Sequence, residues 1–132
     1  MSYATVLTGM HVRFATVSGI AAMLTYEPQT VQVSPLLYSV LDNVEITRSG
    51  QVRAYRYRIL HRLLVPWQNN PQAELLLIPY VNSIPAAVDA DPHLGTVLSS
   101  GIAEIERIDA VYVTFAGVVF RALDFYSNVL EK

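Results

Sequence analysis

Three histidines could carry metal or acid–base chemistry, and they lie far apart in the sequence, at His11, His61 and His93. No two of them have the i, i+4 spacing that places two ligands on one face of a helix. A zinc site takes several ligands, and the chain contains no cysteine that could supply the others. His61 lies on the apolar side of an alternating segment, so we expect it to be a packed core residue or an interface residue.

The segment 89–93 (DADPH) places two carboxylates and an imidazole close together in sequence. Oxygen atoms at alternating positions suit a hard cation, but a calcium loop needs more ligands and a glycine in a defined register. Pro92 interrupts the run and the remaining ligands are missing. We therefore interpret the segment as an aspartate-rich turn that leaves a helix, and we predict no metal site.

Other catalytic patterns are weak as well. No serine stands in a Gly-x-Ser-x-Gly frame, and the six glycines are scattered singly, so no phosphate-cradling loop is present. Glu104 and Glu106 could form an acid–base pair, but two carboxylates on an exposed strand are more typical of solvated groups or of pairs with arginines across a sheet. The sequence therefore predicts that the protein is not an enzyme and uses no cofactor.

Arginine is unevenly distributed along the chain. Four of the eight arginines fall within ten residues, and the only lysine is Lys132. The four clustered residues are Arg53, Arg56, Arg58 and Arg62. Arginine favours planar, bidentate pairing with carboxylates at protein interfaces. We take these four arginines, with Trp67 at the end of the same segment, as candidate residues of a subunit or partner interface.

Two other interpretations of the arginine cluster remain open. The arginines could form a solvated sheet face that is neutralised by Glu104, Glu106 or Asp124. They could also contact phosphate directly, although the net charge of −2 and the missing pattern of interleaved aromatic and basic residues disfavour nucleic-acid recognition.

Length and composition bound the class of protein. The 132 residues fit a single domain spanning 1–132, and the apolar fraction of 52% with only 15% charged residues excludes a disordered chain. No apolar run approaches the 20 or so residues that span a bilayer, and no secretory signal is recognisable. The high apolar content favours an oligomer, because monomers keep exposed apolar patches small.

The elements that must position these residues follow from hydrophobic spacing. A first helix is predicted over residues 3–19, with Val6, Met10, Phe14 and Val17 on one face. Strands are predicted at 22–26, 35–46 and 51–67, the last with period-two alternation and a length that indicates a bend or bulge.

A second helix is predicted to begin at Asn69 or Asn70, with Pro71 in its first turn. We expect Pro79 to kink this helix and Pro85 to end it. We expect its sheet-facing residues to be Leu75, Leu76, Ile78 and Val81.

Three further strands are predicted at 102–107, 111–116 and 118–129, with a tight hairpin at Ala116-Gly117. The order of elements predicts an α+β fold, in which two helices pack on one face of a mostly antiparallel sheet.

Several segments resemble small structural proteins from the neck of tailed bacteriophages. They are residues 57–63 (YRILHRL), 78–85 (IPYVNSIP), 120–125 (FRALDF) and 129–132 (VLEK). Together with the length and the order of elements, they make the chain similar to the tail terminator, or tail completion, family of long non-contractile tails. The family has no residue motif that carries over position by position.

The resemblance implies a structural virion protein that forms a hexameric ring, caps the tail tube, stops its polymerisation and provides the head-docking surface. The implied partners are sister copies, the tail tube protein and a head–tail connector or head-closure protein, with DNA passing through the lumen without sequence-specific binding. No membrane or cofactor is implied, and the location is the virion after assembly in the host cytoplasm. Two alternatives remain: a head-closure or adaptor protein of the neck, and a small dimeric α+β ligand-binding domain.

Overall fold

The computed structural model describes residues 2–66, 70–98 and 101–131. Two helices, α1 (Tyr3–Phe14) and α2 (Asn70–Asp89), pack on one face of a five-stranded sheet. The strands are β1 (Ala22–Leu24), β2 (Leu36–Ser49), β3 (Val52–Pro66), β4 (Ile102–Phe115) and β5 (Val118–Glu131). Their spatial order is β1-β2-β3-β5-β4, and every pairing except β1 with β2 is antiparallel. This architecture confirms the predicted α+β class.

Helix α1 carries the predicted apolar face. Val6, Met10 and Phe14 are fully buried, and the Ser2 hydroxyl caps the helix by accepting the Thr5 backbone N–H at 3.3 Å. The helix ends at Phe14, five residues before the predicted end at Gly19. The hydroxyl of Thr16 donates to the carbonyl of Arg13 at 2.6 Å, and such local bonds compete with continued helix.

The long central strand β3 keeps a continuous register with β5, so of the bend or bulge predicted in this strand, the bulge is wrong. Bulges occur instead in β2 between Leu41 and Asn43, and in β4 between Ile105 and Arg107. Strand β3 is paired on both sides along most of its length, whereas β4 and the later part of β2 are open on one side. An edge strand can absorb an extra residue without breaking a second ladder. Strand β4 is also continuous where two strands were predicted.

Helix α2 differs most from expectation. It continues through Pro85 to Asp89. Pro79 and Pro85 have no backbone N–H, so each removes one helical hydrogen bond. The carbonyls left without that bond belong to Leu75 and Val81, which are exposed, so water can bind them. The predicted cap at Asn69 lies outside the described residues.

The predicted sheet-facing side of α2 is also wrong. Leu75, Leu76, Ile78 and Val81 are 69%, 50%, 58% and 40% exposed. The side that packs on the sheet instead consists of Ala73, Leu77, Tyr80, Ile84 and Val88. Helix α2 is apolar on most of its surface, so hydrophobic spacing alone did not distinguish its inner side from its outer side.

Each face of the sheet has its own apolar cluster. The helix-covered face contains the main core, with Ile59, Leu63 and Phe125 at its centre. The opposite face, called the open face below, carries a smaller cluster that includes Tyr38, Leu64 and Phe120. The β4–β5 hairpin turns through Ala116 and Gly117, both with positive φ. Two adjacent residues with positive φ characterise a type I′ turn, which confirms the predicted hairpin.

Candidate subunit interface

The candidate arginines are distributed over both faces of the sheet. Arg56, Arg58 and Arg62 alternate along β3 on the open face, in register with Leu130, Asn128 and Asp124 of β5. Arg53 lies on the other face of the strand, directly opposite Arg48 of β2. Trp67 lies outside the described residues. The structure therefore divides the predicted arginine cluster into three open-face residues and one residue at the β2–β3 end.

Arg62 is engaged within its own chain. Its Nε and Nη2 donate to the two carboxylate oxygens of Asp124 at 2.6 and 2.8 Å, and its Nη1 donates to the Tyr38 hydroxyl at 3.1 Å. The hydrogen bond with Asp124 raises the pKa of the Arg62 guanidinium. Asp124 is 2% exposed, so the pair stabilises the centre of the open face. Asp124 is one of the three carboxylates that the solvated-face interpretation named.

Arg56 and Arg58 are less constrained. Arg58 lies 3.7 Å from Glu45 of β2, a partly exposed ion pair. Its Nε is buried and has no hydrogen-bond partner among the described residues. Arg56 is half-buried, and it forms no ion pair within the part of the chain that the structure describes. Arg56 therefore retains donors that another chain could use, whereas the unpartnered Nε of Arg58 is buried.

The other two predicted carboxylates do not reach these arginines. Strand β5 lies between β4 and β3, so Glu104 and Glu106 are one strand too far away. Glu106 accepts a hydrogen bond from the Asn128 side chain at 3.3 Å.

The far end of the β2–β3 hairpin forms an arm, defined here as residues 41–55. Strand β1 pairs only with residues 36–38 of β2. Among the described residues, no strand pairs with the outer edge of β2 from Leu41 onward. Leu41, Val44 and Ile46 are exposed apolar residues on the helix side of this edge. An unpaired apolar edge is a template for pairing with another chain.

The outer face of α2 is a second uncovered surface. The segment 75–88 contains no charged residue, and its outward side chains include Leu75, Leu76 and Ile78. Beside it, a groove of about 670 Å³ runs between α2 and residues 13–18, with Leu76, Pro79 and Ala86 in its wall. A helix that is apolar on all sides is normally buried on all sides, so this surface has the composition of an interface.

A third depression lies between α1 and the turn after α2. It has a volume of about 440 Å³ and is lined by Gly9, Val12 and Leu94 among others. Asp91 at its rim accepts the backbone N–H of Gly95 at 2.8 Å, and His93 Nδ1 lies 2.8 Å from the carbonyl oxygen of Gly101. These bonds fit the predicted aspartate-rich turn. Within residues 2–66, 70–98 and 101–131, no three potential metal ligands cluster.

A buried polar chain links α1 to the sheet, and sequence reasoning did not find it. His11 Nε2 lies 2.8 Å from the Ser39 hydroxyl, which lies 2.6 Å from His61 Nδ1. His61 Nε2 lies 3.0 Å from the Ser127 hydroxyl. His61 packs edge-on against Phe14, with 4.8 Å between ring centroids.

Burial, and to a smaller extent the nearby His11, lowers the pKa of His61 to about 3. Burial also lowers the pKa of His11. Ser39, His61 and Ser127 are completely buried. The arrangement resembles a serine–histidine pair, but a substrate has no access to its hydroxyls. His61 is therefore a packed core residue, one of the two roles expected for it.

No protein-family model matches the chain, and no curated protein is similar to it. In the described ranges, no helix has both the length and the apolar character that crossing a membrane requires.

Proposed function

We propose that this protein is a structural virion component of a tailed bacteriophage, a tail terminator whose copies form a hexameric ring. The ring caps the completed tail tube, stops its polymerisation and presents the surface that docks to the head. The observation that carries this proposal is the uncovered apolar side of α2, together with the resemblance to tail terminators described above. Leu75, Leu76 and Ile78 each leave half or more of their surface exposed.

Two distinct uncovered surfaces on one chain support assembly by head-to-tail contacts. The outer face of α2 and the arm are two distinct surfaces of one chain, and both expose apolar residues. A contact between two different surfaces is heterologous, and it closes into a ring when the rotation between copies divides a full turn. A two-fold dimer would bury the same two surfaces only if the arm of each copy reached α2 of the other at the same time.

The chemistry of the site supports a scaffold role. The buried Ser39–His61–Ser127 chain is inaccessible to substrates, and the two large depressions are lined mainly by apolar and small residues. We propose no catalytic activity and no cofactor. The proposed partners are sister copies, the tail tube protein and a connector or head-closure protein. DNA would pass through the lumen without base-specific contacts, in agreement with the net charge of −2.

Two measurements test this proposal. Native mass spectrometry and negative-stain imaging of the purified protein, alone and with tail tubes of the virus that encodes it, should detect six copies in a ring with a central hole. Interrupting the gene should give overlong tails. Normal tails that lack heads would identify an adaptor of the neck instead, and a dimer that carries a bound small molecule would identify the ligand-binding alternative.

A further inference from the structure

We propose that the arm of one copy docks along the outer face of α2 of the next copy. This inference rests on the proposed ring-forming function and names the two surfaces that would form its contact. The occupant of the α2 groove is thus a second copy of the same chain, and its docking segment is residues 41–55.

The first argument is the chemistry of the two surfaces. On the arm, Leu41, Val44 and Ile46 lie on one side of β2 and are exposed. The wall that α2 and the residue after it contribute to the groove includes these apolar and small residues, in chain order: Leu75, Leu76, Pro79, Ser83, Ala86 and Ala90. The small residues towards the end of α2 leave room for the branched side chains of the arm. Burying both apolar sets against each other removes both from water.

The second argument is the charge at the end of the arm. Arg48 and Arg53 are directly opposite each other in the β2–β3 register. Like charges at directly opposed positions destabilise a sheet. In the described part of the chain, neither guanidinium has a carboxylate within 4.0 Å. The arm therefore carries two adjacent positive charges that an anionic surface on another chain could neutralise.

The end of α2 provides such a surface. Asp89 is the last residue of the helix, and the last turn contains no basic residue. The C-terminal end of a helix also carries the negative end of the helix dipole. Asp91 follows two residues later. Arg13 donates its Nε–H to the Ala87 carbonyl at 2.9 Å, so one guanidinium stands against the two carboxylates of Asp89 and Asp91 at this end of α2.

The third argument is length. From Arg48 to Leu41 the strand spans about 20 Å at about 3.3 Å per ladder step, because the bulge adds a residue without lengthening the strand. From Asp89 to Leu75 the helix spans about 21 Å at about 1.5 Å per residue. When Arg48 lies at Asp89, Ile46 therefore lies near Ala86 and Leu41 lies near Leu75. The apolar and charged parts of both surfaces match in this single alignment.

Site-directed disulfide trapping tests the contact, because the natural chain contains no cysteine. The Ile46→Cys/Ala86→Cys variant, oxidised with copper phenanthroline, should give a ladder of covalent multimers within minutes. The control Ile46→Cys/Val118→Cys has its second cysteine at the exposed first residue of β5 and should crosslink at least about tenfold more slowly. Circular dichroism of each variant checks that the fold is intact.

Charge reversal in the Ile46→Cys/Ala86→Cys variant is a second, independent test. Adding Arg48→Glu and Arg53→Glu should reduce trapping at least about fivefold, and adding Asp89→Arg as well should restore most of it. Equal trapping of the test and control cysteine pairs would overturn the proposed contact. In that case, a hexameric ring or overlong mutant tails would still support the proposed function. A ladder that closes at another number of copies would support the contact and contradict the hexamer.

Discussion

Arg62 and Asp124 face each other across β3 and β5 and share two hydrogen bonds of 2.6 and 2.8 Å. The carboxylate is almost completely buried, and the guanidinium is only partly exposed. Two parallel bonds between a guanidinium and a carboxylate fix both the distance and the angle between the side chains. This pair therefore stabilises the open face and holds the two central strands in register.

Removing the Asp124 charge should destabilise the protein strongly. Asp124→Asn leaves the Arg62 guanidinium without its counter-charge, and breaking a buried pair on one side costs about 3 kcal/mol. Urea unfolding followed by circular dichroism measures the loss. The matched control is Asp109→Asn, which removes the exposed Arg107–Asp109 pair on the neighbouring strand and should cost much less, because solvent screens an exposed pair. Equal losses in the two variants would show that burial does not strengthen the Arg62 pair.

Acidification should destabilise the fold through His61. Its pKa in the folded protein is about 3, whereas an unfolded histidine titrates near pH 6.5. Below pH 6.5 the unfolded chain therefore takes up a proton that the folded protein excludes. The free energy of unfolding falls as the pH is lowered from about 6.5 towards 3, by up to about 1.4 kcal/mol per pH unit for this group.

The His61→Gln variant isolates this contribution. It should be less stable than the natural protein at pH 8, because it loses bonds to Ser39 and Ser127. Its free energy of unfolding should depend less steeply on pH between 7 and 5. Parallel curves for the two proteins over that range would contradict the assignment of a neutral buried imidazole.

Truncation of two neighbouring leucines of α2 should lower the free energy of unfolding by very different amounts. Leu77 is 3% exposed and packs in the main core, whereas Leu76 is half exposed. Leu77→Ala should cost about 2–5 kcal/mol of unfolding free energy, and Leu76→Ala should cost less than about 1 kcal/mol. Urea unfolding measures the free energy of unfolding of both variants. A low protein concentration keeps the chains monomeric, so that assembly does not contribute. A larger loss for Leu76→Ala than for Leu77→Ala would contradict the assignment of Leu77 to the buried side of α2.

Reversing the charges of Arg56 and Arg58 should prevent ring formation if the open face contributes to a subunit contact. We expect the Arg56→Glu/Arg58→Glu variant to remain monomeric under conditions where the natural protein assembles. Size-exclusion chromatography with light scattering measures the mass, and circular dichroism verifies the fold. Arg107→Glu, on the far strand of the same face, is the control and should assemble normally. Unchanged hexamers in the double variant would remove Arg56 and Arg58 from the contact.

The sequence predicted the parts of the fold that depend on local spacing. The buried face of α1 followed from Val6, Met10 and Phe14, and the β4–β5 hairpin followed from Ala116-Gly117. Helix α2 was predicted in the right part of the chain, but it extends beyond its predicted end at Pro85. Its predicted sheet-facing side was wrong, because apolar residues occupy most of its surface and only tertiary packing selects the inner side. Its exposed side was therefore not predicted as an interface.

Contacts between distant residues were beyond prediction from local patterns. His11, Ser39 and Ser127 converge on His61 from three separate elements. The pairing of Arg62 with Asp124 depends on the β3–β5 register, which the two strand sequences alone do not specify. Asp124 was nevertheless named, with Glu104 and Glu106, as a carboxylate that could neutralise the arginines.

The separation of the arm from the outer face of α2 has a consequence for how an assembly grows and comes apart. In any incomplete arc of copies joined through these two surfaces, the first and last copies each leave one of the surfaces exposed to solvent. Only the closed circle has no ends, and withdrawing a member from it breaks two contacts at the same moment. Intermediates should consequently be scarce at equilibrium, and a completed circle should outlast dilution that disperses shorter arcs.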